Sequence, residues 1–136
     1  MGKVFRVRKV VRGLAEGEAV VCPGSFSFLG DVDMDTGEII ARGNPSRGLT
    51  LKDRVLIYGE TKGSSGGCAV LLTLAKRGLA PAALVTVKPA DYNLAEGAIL
   101  AALPFVCEPD GDILTDVATG MRLTVDANQG VVTLPN

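Results

Sequence analysis

Residues 54–89, RVLIYGETKGSSGGCAVLLTLAKRGLAPAALVTVKP, constrain the fold more than any other part of the chain. RVLIYG (54–59) is a β-rich apolar run ending at Gly59, which predicts a strand. After the glycine-rich turn the pattern changes: Val70, Leu71 and Leu74 fall on one helical face. Lys76 and Arg77 suit a last turn, Gly78 suits the residue after it, and Pro81 follows, so the spacing predicts a helix over 66–77. AALVTVKP (82–89) then reads as a buried strand. Two strands joined through a helix run parallel, so the segment predicts a βαβ unit with its turn at the carboxyl end of the first strand.

The flanking sequence extends this α/β reading. Turn signals recur at GLAEGE, CPGS, DMDTGE and GNPSRG, with short apolar pieces such as AVVC and FSFLG between them, and predict several short strands in the first half. YNLAEGAILAALP (92–104) predicts a second helix ending before Pro104, FVCE a short strand, and MRLTVDANQGVVTL a hairpin about DANQG. There is no internal repeat, low-complexity tract or linker. With 136 residues, the expectation is one domain, 1–136, with many short strands and two main helices.

Charge and composition narrow the function. Fourteen basic side chains against fifteen acidic ones supply no surplus for phosphate neutralisation, so no nucleic-acid partner is expected. Lys3, Arg6, Arg8, Lys9 and Arg12 cluster around Val4, Phe5, Val7 and Val10, which reads as a strand with one solvated face. No stretch approaches the roughly 20 apolar residues of a membrane span. MGKVFRVRKVVRG lacks the apolar core of a signal peptide, so a soluble, cytoplasmic protein is expected. Cys22, Cys68 and Cys107 are scattered and form no CxxC, which supports no zinc or iron–sulfur site in this chain and favours buried free thiols. The chain has no histidine. That excludes a Ser-His-Asp triad, a phosphohistidine carrier, and a hydrolase reading of Gly63-Ser64-Ser65-Gly66-Gly67 with Ser65 as nucleophile.

Three readings of the double serine remain open. A serine could cap the helix, accepting a hydrogen bond from an orphan N–H. The turn could cradle an anion with backbone N–H groups and Lys62; the lysine precedes the serines, unlike the nucleotide-binding GxxxxGK[ST] loop, so a smaller carboxylate or phosphate suits it better. Finally, a serine alkoxide, stabilised by N–H donors and a cation, could take a proton from a substrate.

SFSFLGDVDMDTGEI, TKGSSGGCAVLLTLAKRGLAPAALV and TGMRLTVDANQGVVTL together resemble the small subunit of the aconitase X family, almost end to end. The combination of the FLG-VD--TG stretch, the KGS turn and the GLAPAA stretch carries the resemblance. It implies a swivelling β/β/α domain, the counterpart of the mobile fourth domain of aconitase, closing over a large catalytic subunit that holds an iron–sulfur cluster. It also implies a hydro-lyase. One branch of the family dehydrates mevalonate 5-phosphate and another cis-3-hydroxy-L-proline, each using a swivel-domain serine to remove the proton α to the carboxylate. By position that base is Ser64, with Ser65 free to cap, and Lys62, Gly63, Ser65 and Gly66 are the substrate-binding candidates. The leucine in SFLGDVD and the separate small chain point to the mevalonate 5-phosphate branch. Asp31 departs from the family pattern, where glycine is common. The cation that steadies the substrate is left open among Lys62, Arg47, Arg54 and a partner residue. Phe26, Phe28 and Leu29 are candidates for the partner face, although phenylalanine and leucine more commonly lie in a core. A metabolite-binding module that uses the turn only as an anion site stands as the alternative.

Overall fold

A computed structural model describes residues 2–62 and 66–135. Among them are eight strands: β1 (Val4–Arg6), β2 (Arg8–Val11), β3 (Leu14–Phe26), β4 (Val55–Thr61), β5 (Ala83–Thr86), β6 (Phe105–Cys107), β7 (Arg122–Asp126) and β8 (Val131–Thr133). Two helices dominate, α2 (Gly67–Lys76) and α3 (Tyr92–Leu100); α1 (Phe28–Asp31) and α4 (Ile113–Asp116) are single turns.

The strands form one ribbon in the order β1-β8-β7-β3-β4-β5-β6-β2. β3, β4, β5 and β6 are mutually parallel, and the other pairings are antiparallel. The long β3 joins the two halves, pairing with β7 through Leu14–Glu18 and with β4 from Ala19 onward. β1 and β2 are adjacent in sequence yet lie at opposite ends of the strand order, so the ribbon curls back on itself through the Val7 link.

The alternation of side chains sorts the core into two layers. Val55, Ile57, Ala83 and Val85 point to one side and meet Phe5, Leu123, Val125 and Val132 of the antiparallel half. Leu56, Tyr58 and Leu84 point to the other and meet Val70, Leu71, Leu74 and Leu94 of the helices. The result is a β/β/α arrangement. Both faces of β4 and β5 are covered, which is why those strands read as unbroken apolar runs.

The predicted βαβ unit is present as β4-α2-β5. α2 ends in a Schellman motif: Gly78 N–H donates to Ala75 O at 3.1 Å, Leu79 N–H to Leu74 O at 2.8 Å, and Gly78 has φ of 73°. The second helix, ending earlier than expected at Leu100, the FVCE strand and the C-terminal hairpin are also found. The basic N-terminal stretch keeps its solvated side chains but is two strands rather than one, split at Val7, because β1 pairs with β8 and β2 with β6 at opposite ends of the strand order.

The first half differs from expectation. GLAEGE and CPGS are not turns between short strands: all but the first glycine of these two stretches lies inside the 13-residue β3. Gly17 is there for close approach, since a Cβ would come within 2.7 Å of Asp53 O. Pro23 and Gly24 sit in a bulge between Cys22 and Ser25, where the strand shifts register and no ladder N–H is required of a proline. Residues 32–54 contain only isolated bridges, Val32 with Ile39 and Glu38 with Thr50.

Candidate active site

The parallel register brings the carboxyl ends of β3, β4 and β5 to one edge, with Phe26 opposite Thr61 and Tyr58 opposite Thr86. In open parallel sheets this edge, where the strands hand over to helix N-termini, is where ligands bind. The stretch from Lys62 to Gly66 connects β4 to α2 there. Gly63, Ser64 and Ser65 lie outside the described residues, so the site is defined by what surrounds them.

Lys62 continues the β4 edge, its N–H donating to Phe26 O at 2.9 Å, and its side chain is about half exposed. Its ammonium donates to Asp31 Oδ1 at 3.3 Å. Asp31 is buried, and its Oδ2 accepts the Ser27 N–H at 2.9 Å. Asp31 is therefore Lys62's counter-charge.

Gly66 has φ of 124°, and a Cβ there would come within 2.8 Å of the Leu29 side chain. Glycine is required twice over, by conformation and by space. Gly66 also occupies the N-cap position of α2, without a side chain to cap it. The capping acceptor comes from α3: Asn93 Oδ1 takes the Gly66 N–H at 3.1 Å and the Cys68 N–H at 2.8 Å. The N-cap position expected of Ser65 thus belongs to Gly66, and capping is supplied from a separate helix. Nothing in the local sequence marks Asn93, because its partners lie 25 residues or more upstream. Asp91 accepts the Leu94 N–H at 2.9 Å and caps α3.

Two helix N-termini, each the positive end of its peptide dipoles, therefore converge beside the turn. Lys62 and Lys88 stand on the same edge; the Lys88 N–H donates to Gly59 O at 2.9 Å. On this edge the two helix N-termini and the two lysines stand with the carboxylates of Asp31 and Asp91. Arg54 is at the other end of β4, roughly 25 Å away at about 3.3 Å per residue, and does not belong to the site. Of the partner-face candidates, Phe26 and Phe28 are core, in T-shaped contact at 5.4 Å between ring centroids, whereas Leu29 is 56% exposed beside the turn.

Beneath this edge Tyr58 is fully buried and its hydroxyl has no hydrogen-bond partner among the described residues. Burial pushes its pKa well above the ordinary value. The Cys22 and Cys107 thiols are pushed up by burial as well. The three cysteines sit on β3, α2 and β6, and no three metal-ligating side chains converge among the described residues. They do not fit an iron–sulfur cluster. No helix among the described residues is long and apolar enough to cross a membrane.

Residues 4–134 match the family model for the aconitase X swivel domain. A phosphomevalonate dehydratase small subunit of Archaeoglobus fulgidus is 39% identical over 130 residues, covering 96% of this chain and 97% of that protein. One from Methanothrix thermoacetophila is 40% identical over 132 residues, covering 97% and 95%. A chain in the holo-form crystal structure of Thermococcus kodakaraensis aconitase X superposes with a TM-score of 0.91 at 35% identity, covering 99% of this chain and all of that one. The three-layer fold and the sequence agree: the chain belongs to the aconitase X swivel domain family.

Proposed function

We propose that this chain is the small subunit of a two-subunit hydro-lyase that dehydrates mevalonate 5-phosphate to anhydromevalonate 5-phosphate. It works as one swivelling domain, cytoplasmic, closing over a large catalytic subunit. The carrying observation is the turn that joins the carboxyl end of β4 to the N-terminus of α2, edged by Lys62, in a chain matched nearly end to end by phosphomevalonate dehydratase small subunits.

In this reading Ser64 removes the proton α to the substrate carboxylate. Its alkoxide is stabilised by the positive end of α2 and by a lysine ammonium, the electrostatic environment such a base needs. Lys62, Gly63, Ser65 and Gly66 form the substrate-facing turn. Gly66 contributes room rather than a donor, since its N–H is already given to Asn93. We assign the family's iron–sulfur cluster, and with it departure of the hydroxyl, to the large subunit; the placing of Cys22, Cys68 and Cys107 on three separate elements supports this reading.

The test is Ser64→Ala in the assembled two-subunit enzyme. Turnover is expected to fall by about 10²–10⁴-fold, the usual contribution of a general base, with assembly and substrate binding intact. Turnover surviving within a few fold would falsify Ser64 as the base. A parallel Ser65→Ala variant, expected to lose far less, separates the two serines. Supplying mevalonate 5-phosphate and cis-3-hydroxy-L-proline side by side chooses the branch, and the isolated small subunit is expected to be inactive on both.

A further inference from the structure

Asp31 is the one charged residue buried among the described residues, at 7% exposure. A buried carboxylate is costly unless it is paired and hydrogen-bonded. Both conditions are met here in a way that looks outward to the site. One oxygen is held by the Ser27 N–H at 2.9 Å and the other faces the Lys62 ammonium at 3.3 Å. The backbone of Asp31 is tied on both sides, its N–H to Ser27 O at 3.2 Å and its carbonyl to the Ile40 N–H at 2.9 Å. Gly30, with φ of 102°, makes the kink in α1 just before it. The carboxylate is therefore a fixed point, and the lysine is its half-exposed partner.

We propose that Asp31 is a positioning residue: it fixes the Lys62 ammonium at the carboxyl end of β4 so that the lysine meets the substrate's anionic group in one orientation. This rests on the assignment of Lys62 to substrate binding. A lysine ammonium has three donors and no acceptor. Asp31 occupies one and leaves the others for a carboxylate or phosphate. Without Asp31 a four-carbon stem with several rotatable bonds would carry the charge into solvent, and binding would have to order it again.

Asp31→Asn is the informative substitution, since the amide oxygen can still accept the Ser27 N–H while the charge opposite Lys62 is lost. In the assembled enzyme it is expected to raise KM for mevalonate 5-phosphate by roughly tenfold, with kcat changed less than about threefold, because binding common to substrate and transition state is what is weakened. Lys62→Met is expected to raise KM at least as much. The discriminating variant is the double one: Asp31→Asn is expected to add nothing in the Lys62→Met background, since its effect passes through the lysine. If Asp31 merely pins α1, Asp31→Asn lowers the thermal midpoint and adds its full effect in that background, and the proposal is wrong. An unchanged or lowered KM in Asp31→Asn, beside a raised KM in Lys62→Met, also overturns it while leaving Lys62 as a substrate contact. An unchanged KM in Lys62→Met removes the lysine from the site and the proposal with it.

Discussion

At the scale of single residues, Tyr58 pairs a large packing contribution with an unmet polar demand. Its ring is fully buried 5.7 Å from Phe26, while its hydroxyl lacks a partner among the described residues. Burying a hydroxyl without a hydrogen bond costs about 1–3 kcal/mol, whereas removing it leaves the ring contacts in place. Tyr58→Phe is therefore expected to leave stability unchanged or raise it by about 1 kcal/mol in chemical denaturation. A clear loss would show that the hydroxyl is satisfied within the fold. The cysteines divide in the same way. Cys22 and Cys107 are sealed, whereas Cys68, in the first turn of α2, is half-buried. Alkylation of the native chain followed by mass spectrometry is expected to modify Cys68 well before the others.

At the scale of elements, the coupling of α2 to α3 fixes the start of α2. Asn93 holds two N–H groups at the start of α2, and Gly97 lets the helices approach so closely that a Cβ would lie 2.9 Å from Cys68 Cα. Asn93→Ala is expected to cost about 1–2 kcal/mol, the cost of a lost cap, and to lower turnover as well because the released N–H groups adjoin the serines. Gly97→Ala gains up to about 1 kcal/mol in helix propensity but is expected to destabilise overall, since overpacking against backbone costs about 1–3 kcal/mol. Thermal melts of both variants check this, and a stabilised Gly97→Ala would mean the helices separate freely. The same helices show what local sequence can reveal. α2 was legible because its face, its basic last turn and Gly78 all act within a few residues. β3 was not, because Gly17 and the Pro23-Gly24 bulge carry the same residues that mark turns while serving close approach and a register shift.

At the scale of the whole molecule, burial sets the pH response. The raised pKa of the Cys22 and Cys107 thiols and of Tyr58 means that the folded chain holds these protons more tightly than the unfolded chain does. Their contribution to stability is complete below the ordinary thiol pKa of about 8.5 and is lost progressively as pH rises above it. Urea unfolding is expected to give a lower midpoint at pH 10 than at pH 7. Cys22→Ala, though less stable at neutral pH, is expected to show a shallower decline. With no histidine in the chain, little change is expected between about pH 6 and 8.

The sequence by itself determined the parallel βαβ unit with the limits of its helix, the existence of the second helix, and the C-terminal hairpin. Each is written in periodicity or turn chemistry acting over a few residues. It also removed imidazole chemistry outright, because composition is independent of fold. Only the tertiary structure decided which groups surround Lys62 and Gly66. Asp31 reaches Lys62 from 31 residues upstream, and Asn93 reaches Gly66 from 27 downstream. The curling of the ribbon through β1 and β2, and the sorting of alternate side chains into two cores, are likewise tertiary. The physical reason is that pairing and burial depend on which strands become neighbours, and no local rule of spacing carries that information.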